Sequence, residues 1–254
     1  MSEKDIPQSK IESVISLFSN NKLQEALDNS LTLLEDFPND ALLQNIIGAC
    51  NAGLGDLSSA VISYKKAIAI QPDYAKAHYN LGSALHELDQ LDESVKSYQN
   101  SLNIDPKYAQ AHNNLGNVFK DNRNFDDAIN SYKNAILINP DYLEAYYSLA
   151  IVFQEIGEFN KSIELLEKVI SIEPNLAEIH NKLGEVLTEL GQLDNAASSY
   201  QRATDISSNY SEAHNNLGNT LKELGRTEDA IKSYKKAIKI NPDFPALHNN
   251  LGNA

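Results

Sequence analysis

Six histidines, His78, His86, His112, His180, His214 and His248, are the residues of this chain that could hold a transition metal. Metal ligands must converge to within about 2 Å of one ion. Five of the six instead recur at intervals of 34 residues or twice that, which assigns them one to a structural unit and keeps their rings apart. A packing role is therefore expected for them, with no metal and no cofactor. The chain has no Gly-rich phosphate loop, no GxGxxG and no cysteine–histidine constellation. Its many carboxylates fall on polar helix faces, and no enzymatic centre is expected in it.

A different chemistry is written in the hexapeptide HNNLGN, at His112–Asn117, His214–Asn219 and His248–Asn253. A side-chain amide offers two N–H donors and an acceptor carbonyl, which is the complement of a peptide main chain. Asparagine is a mediocre helix former, so its repeated use inside helices calls for a reason. A row of amides could grip an extended polypeptide without reading its side chains. Tolerated polar decoration, copied along with the repeat, is the plainer account.

The elements that position these residues follow from the period. A small residue recurs at Gly48, Gly82, Gly116, Ala150, Gly184, Gly218 and Gly252, and proline at Pro38, Pro72, Pro106, Pro140, Pro174 and Pro242, with Ser208 in the one gap. A 34-residue period is that of a stacked helix–turn–helix array. With the glycine as position 8, the full repeats are 7–40, 41–74, 75–108, 109–142, 143–176, 177–210 and 211–244, followed by a partial repeat 245–254 and preceded by a tail of residues 1–6. Two helices per repeat plus the partial repeat predict fifteen helices and no strand.

In repeat 75–108, about 100° per residue puts positions 3, 4, 7, 8, 10, 11 and 14 of helix A on one packing face: Ala77, His78, Leu81, Gly82, Ala84, Leu85 and Leu88. Positions 2, 5, 6, 9, 12 and 13 form the opposite face. Position 15 is Gly55, Gly157, Gly191 and Gly225 in four repeats, the left-handed stop of a helix. Asp89 and Arg123 depart from it, which predicts turns closed in another way. Helix B should begin near Asp92, Asp126, Asp194 or Glu228, acids suited to a helix N-terminus. Its buried stripe is expected to hold a small residue at position 20, tyrosine at 24 and isoleucine at 30, ahead of the proline stop.

The combination of this period with Leu-Gly, alanine, tyrosine and proline at fixed positions resembles the tetratricopeptide repeat (TPR) family, over residues 7–254. The resemblance implies an all-α solenoid, a right-handed superhelix of antiparallel helix pairs, with seven full repeats plus the first helix of an eighth and a concave groove lined by helix A. The family's aromatic at position 4 is here His78, His112, Tyr146, His180, His214 and His248, and repeat 1 departs most, with Val14 for glycine and Ser13 for leucine. Positions 5, 6 and 9 then face the groove. The candidate peptide-binding residues are Asn80, Asn113, Asn114, Asn117, Asn215, Asn216, Asn219 and Asn250. Ser148 and Lys182 interrupt the series, so two gripping segments are expected.

The position-6 asparagines resemble those in the TPR arm of O-linked GlcNAc transferases and SPINDLY-like proteins. That likeness implies binding of a target's main chain. It also gives an alternative to a free-standing scaffold, namely the substrate-recruiting arm of a longer glycosyltransferase or other transferase. Ala254, in mid-helix of the eighth repeat, suits a piece of a longer chain. TPR domains that clamp a C-terminal carboxylate want lysine at position 5, where this chain has asparagine or tyrosine.

Charge narrows the partner. The formal net charge is −14, with only three arginines, Arg123, Arg202 and Arg226, and a nucleic-acid binder would want a basic face. Along the groove positions of repeats 3–7, nine acids stand against four bases, a balance of −5. The expected partner is a protein or peptide, extended and neutral-to-basic. No stretch reaches the ~18 apolar residues of a membrane helix, the start is not a signal peptide, and the single Cys50 suits a reducing, cytoplasmic setting. It occupies position 10, elsewhere Ala or Val, and is expected to be a small buried side chain. Finally, Ile11, Ile15, Phe18, Leu42 and Ile46 put apolar side chains at groove positions that later repeats fill with polar ones. They form a candidate apolar contact, and both array ends are expected to favour self-association or partner contact.

Overall fold

Helix follows helix in this computed structural model, which describes residues 6–243 and 245–253. Residues 1–5 of the expected tail and Ala254 lie outside the described residues. The chain forms two units, residues 1–139 and 140–254. The first holds α1 (Gln8–Ser19), α2 (Leu23–Asp36), α3 (Ala41–Gly53), α4 (Leu57–Ile70), α5 (Ala75–Glu87), α6 (Leu91–Ile104), α7 (Ala109–Asp121) and α8 (Phe125–Ile138). The second holds α9 (Leu143–Glu155), α10 (Phe159–Ile172), α11 (Ala177–Glu189), α12 (Leu193–Ile206), α13 (Ser211–Glu223), α14 (Thr227–Ile240) and α15 (Pro245–Gly252). These fifteen helices, with no strand among the described residues, are the architecture that the period predicts. Odd-numbered helices are helix A of their repeats and even-numbered ones helix B. Within each unit, every helix packs on its chain neighbours.

The turn after helix A closes in one way throughout. Gly55, Gly157, Gly191 and Gly225 take φ of 73–87°, but Asn21, Asp89 and Arg123 take φ of 57–58° at the same position. The expectation of different turns at Asp89 and Arg123 is corrected: helix packing imposes the left-handed bend whatever the residue. A non-glycine residue bears a cost there of roughly 1–2 kcal/mol. Arg123→Gly is therefore expected to raise stability by about 1 kcal/mol, read as a higher midpoint in urea unfolding, with an unchanged or lower midpoint as the contrary result. Asp92, Asp126, Asp194 and Glu228 each fall in the first turn of their B helix, where the dipole favours an anion.

Helices A and B of a repeat meet at positions 8 and 24. A Cβ on Gly48, Gly116, Gly184 or Gly218 would lie 2.5–2.7 Å from the ring of Tyr64, Tyr132, Tyr200 or Tyr234. The glycine is needed because the tyrosine ring occupies the space a Cβ would take. Where position 8 grows, position 24 shrinks: Ala150 shares its repeat with Leu166, and Val14 with Ser30, all four nearly or wholly buried. The pair conserves volume across the helix contact, as a close-packed interior demands.

The helix B stripe needs one correction. Isoleucine at position 30 is not core: Ile70, Ile104 and Ile240 are 36–38% exposed. The buried residue of that turn is position 27, with Ala67, Ser101, Ala135, Val169, Ala203 and Ala237 at 0–1%. Positions 20, 24 and 27 share a face at helical spacing, and position 30 comes one turn later, where the helix is about to end. Cys50 is buried as expected, and burial pushes its thiol up to about 11.

Candidate functional site

The position-4 histidines close the turns between repeats. His78, His112, His180, His214 and His248 each set Nε2 within 2.8–3.2 Å of the main-chain carbonyl six residues earlier, on Pro72, Pro106, Pro174, Ser208 and Pro242. A carbonyl only accepts, so Nε2 carries the proton. Each ring thus fastens the start of one helix A to the turn before it. No group of three or more His, Cys, Asp or Glu that could hold a metal occurs among the described residues.

One of these rings carries a pH signature. Burial holds the His214 pKa below its ordinary value, which is about 6.5 in an unfolded chain. The folded state therefore prefers the neutral ring. Its contribution is present above about pH 6.5 and is lost as pH falls through the lowered folded value. Thermal melts between pH 7.5 and 5 should show a fall in stability that His214→Tyr reduces, tyrosine being the residue that repeat 5 uses there. An identical fall in parent and variant would contradict this.

The amide-bearing face has an internal wiring that the sequence did not disclose. In the first unit, Asn80 Nδ2 donates to Asn45 Oδ1 at 3.0 Å and Asn114 Nδ2 to Tyr79 Oη at 3.0 Å. In the second, Asn216 Nδ2 donates to Asn181 Oδ1 at 3.3 Å and Asn250 Nδ2 to Asn215 Oδ1 at 2.8 Å. In these four repeats position 6 thereby reaches position 5 of the repeat before. The signal for it is an offset of 35 residues, one more than the period. Position 9 is held differently: Tyr132 Oη donates to Asn117 Oδ1 at 2.8 Å and Tyr234 Oη to Asn219 Oδ1 at 2.9 Å. A tyrosine with a buried ring needs a polar partner at its tip, and position 9 provides it.

Exposure separates these residues by role. Position 5 belongs to the contact between successive A helices rather than to the open face: Asn45, Asn113 and Asn181 are 4, 0 and 3% exposed. The expectation for Asn113 is corrected on this ground: it is buried and donates to Asn114 Oδ1 at 3.4 Å. Asn215 accepts from Asn250 and is half-exposed. Asn80, Asn114, Asn117, Asn216, Asn219 and Asn250 remain half-exposed. An amide has two N–H donors and two carbonyl lone pairs, so each keeps hydrogen-bonding capacity beyond its internal bond. These amides are oriented before any ligand arrives. The interruptions are also visible: Lys182 pairs with Glu185, which in turn accepts from Asn181.

Acids flank this face. Burial above all, and then Glu212, Glu178 and Glu185, push the Tyr210 phenol up to about 12. Side chains at positions 12 and 13 tie neighbouring repeats, with His86 Nε2 2.8 Å from Asp121 Oδ2 and Gln154 Nε2 donating to Glu189 Oε1 at 2.9 Å.

The apolar candidates converge in part. Ile15 and Phe18 of α1, Leu42, Ile46 and Ala49 of α3, and the polar Asn45, Lys76 and Asn80 together line a cavity of about 370 Å³ in the first unit. Ile11 is half-buried and is not part of the lining. At the far end, Leu247 is 1% exposed and Leu251 half-buried, so α15 offers little of the apolar surface that was expected there.

Family profiles agree with this geometry. The TPR repeat profile matches residues 53–89, 82–122, 184–225 and 218–254, and Tetratricopeptide repeat profiles match 109–142 and 143–176. The chain belongs to the tetratricopeptide repeat family. Its TPR fold is similar to that of the C-terminal part of a TPR repeat-containing protein from Cytophaga hutchinsonii, with a TM-score of 0.79 and 16% identity over 94% of this chain and 98% of that one. It is also similar to YrrB, a TPR protein with an unusual peptide-binding site, with a TM-score of 0.62 and 23% identity over 73% of this chain and 96% of that one. Among curated proteins, the Peroxisomal targeting signal receptor of Kluyveromyces lactis is 36% identical over 64 residues, 25% of this chain and 11% of the receptor. The TPR chain thus spans only a small part of that relative. TPR repeats indicate a protein partner, and no helix among the described residues is long and apolar enough to cross a membrane.

Proposed function

We propose that this TPR array binds an extended, neutral-to-basic polypeptide along its helix-A face, acting as an interaction scaffold and by binding rather than catalysis. The observation that carries the reading is the set of half-exposed position-6 amides, each already held by a bond to the preceding repeat. A pre-oriented group loses less freedom when it binds. Two similar proteins favour the same reading, one carrying a peptide-binding site and one being a receptor for a targeting signal. A cytoplasmic setting suits the buried free thiol of Cys50.

The flanking acids favour a basic partner and make its capture dependent on salt. The Debye length falls from ~10 Å at 0.1 M to ~3 Å at 1 M ionic strength. A lysine-containing dodecapeptide should bind more tightly than its glutamate counterpart in low salt, and the difference should shrink in high salt while binding persists. Equal binding of the two peptides in low salt would overturn the charge preference, and no binding of either would overturn the groove. A second reading, the recruiting arm of a longer O-GlcNAc-transferase-like enzyme, rests on the same asparagines. A glycosyltransferase domain encoded in frame with the array would support it, and a reading frame without one would overturn it.

A further inference from the structure

The cavity of the first unit lies where the repeat pattern changes. In later repeats position 6 is usually asparagine, but in repeat 2 it is Ile46, 8% exposed, which lines the cavity with Leu42 and Ala49. Ile15 and Phe18 of α1, 43 and 37% exposed, line the same cavity. What sets these two apart from other exposed apolar side chains is that they share one cavity with Leu42, Ile46 and Ala49, and a contiguous apolar patch is what marks a contact site. The cavity is also lined by Asn80 and Asn45, the hydrogen-bonded pair that begins the amide series of this unit. A chain gripped at Asn80 therefore passes the mouth of an apolar recess. An apolar cavity of roughly 150 Å³ accommodates a benzene-sized ring, so about 370 Å³ admits one large side chain with part of its backbone.

We propose that this cavity is a specificity pocket, taking one large apolar side chain, aromatic or aliphatic, of the same polypeptide whose main chain Asn80 holds. The inference rests on the groove reading above and adds a register to it. Amides alone let a peptide slide, and a single anchored side chain fixes which residue lies where. The occupant is a segment of another protein, since the cavity is lined by Asn80 and Asn45, with which the amide row begins.

The test uses two fluorescein-labelled dodecapeptides of serine, threonine, glycine and lysine, differing only in phenylalanine or alanine at one central position. Anisotropy titrations should show the phenylalanine peptide binding roughly ten-fold tighter or more, the scale expected for burying such a side chain. Ile15→Ser with Phe18→Ser should bring it down to the level of the alanine peptide and leave the alanine peptide unchanged. Both positions are exposed, so the fold should persist. Ala49→Leu, which adds bulk to the cavity lining, should have the same effect if the double variant proves unstable. Asn80→Ala should weaken both peptides. Equal binding of the two peptides to the parent overturns the pocket and leaves the groove standing. Failure of both to bind overturns the two together. Self-association of the parent that the same substitutions abolish would assign the cavity to a second copy and likewise overturn the proposal.

Discussion

Gly184→Val should destabilise the array by about 3 kcal/mol or more, a larger effect than any surface change in this chain. A Cβ at Gly184 would already sit 2.6 Å from the Tyr200 ring. Overpacking a core by single methylenes typically costs ~1–3 kcal/mol, and valine adds two methyls beyond the Cβ. Gly184→Ala should cost less, because alanine is the better helix former by ~1 kcal/mol. The chain itself contains the compensated pair, Ala150 with Leu166. Gly184→Ala with Tyr200→Leu should therefore recover most of what either single change loses, a coupling of ~0.5–3 kcal/mol. Urea unfolding followed by circular dichroism checks it. Additive losses in the double variant would mean that the ring is not what the glycine accommodates.

The second large effect concerns binding. Replacing Asn80, Asn114, Asn216 and Asn250 together with alanine should weaken many unrelated extended peptides alike. A lost hydrogen bond is worth ~0.5–1.5 kcal/mol, so losing the two of one unit should weaken a peptide held there by at least ~5-fold. The internal bonds to Asn45, Tyr79, Asn181 and Asn215 go too, and the buried amides of Asn45 and Asn181 lose a partner. Fold stability should therefore be measured beside affinity, with the gain in helix propensity offsetting part of the loss. Asn117 and Asn219 are left out of this variant because they satisfy Tyr132 and Tyr234. Undiminished binding by a folded quadruple variant would relegate the amides to packing.

The period made the architecture legible. It gave the number of helices, their pairing into repeats and the glycine stop, because every repeat must solve one packing problem and so spells the same answer, while the helix B stripe still needed position 27 in place of position 30. What it hid were the relations between repeats. Position 5 looks exposed on a helical wheel of one helix, yet Asn45 and Asn181 are buried because the next helix A covers them. Histidine at position 4 was legible as structural but not as a donor to Pro72 or its equivalents, since that bond reaches back across a turn. Arg123 looked like an exception and adopts the common turn, because the helices on either side decide its φ. The apolar residues at the start of the array were readable as a patch, but only the position of α1 turns Ile15, Phe18 and Ile46 into a cavity.

The most direct measurement is of the side-chain amides themselves. In a ¹⁵N-labelled protein, the NH₂ resonances of Asn80, Asn114, Asn216 and Asn250, assigned by single substitutions, can be followed as a lysine-containing dodecapeptide is added. Binding along the helix-A face predicts that the amides of at least one unit shift in step with saturation, while buried Asn113 changes little. Saturable binding that leaves all four resonances where they began would contradict the account.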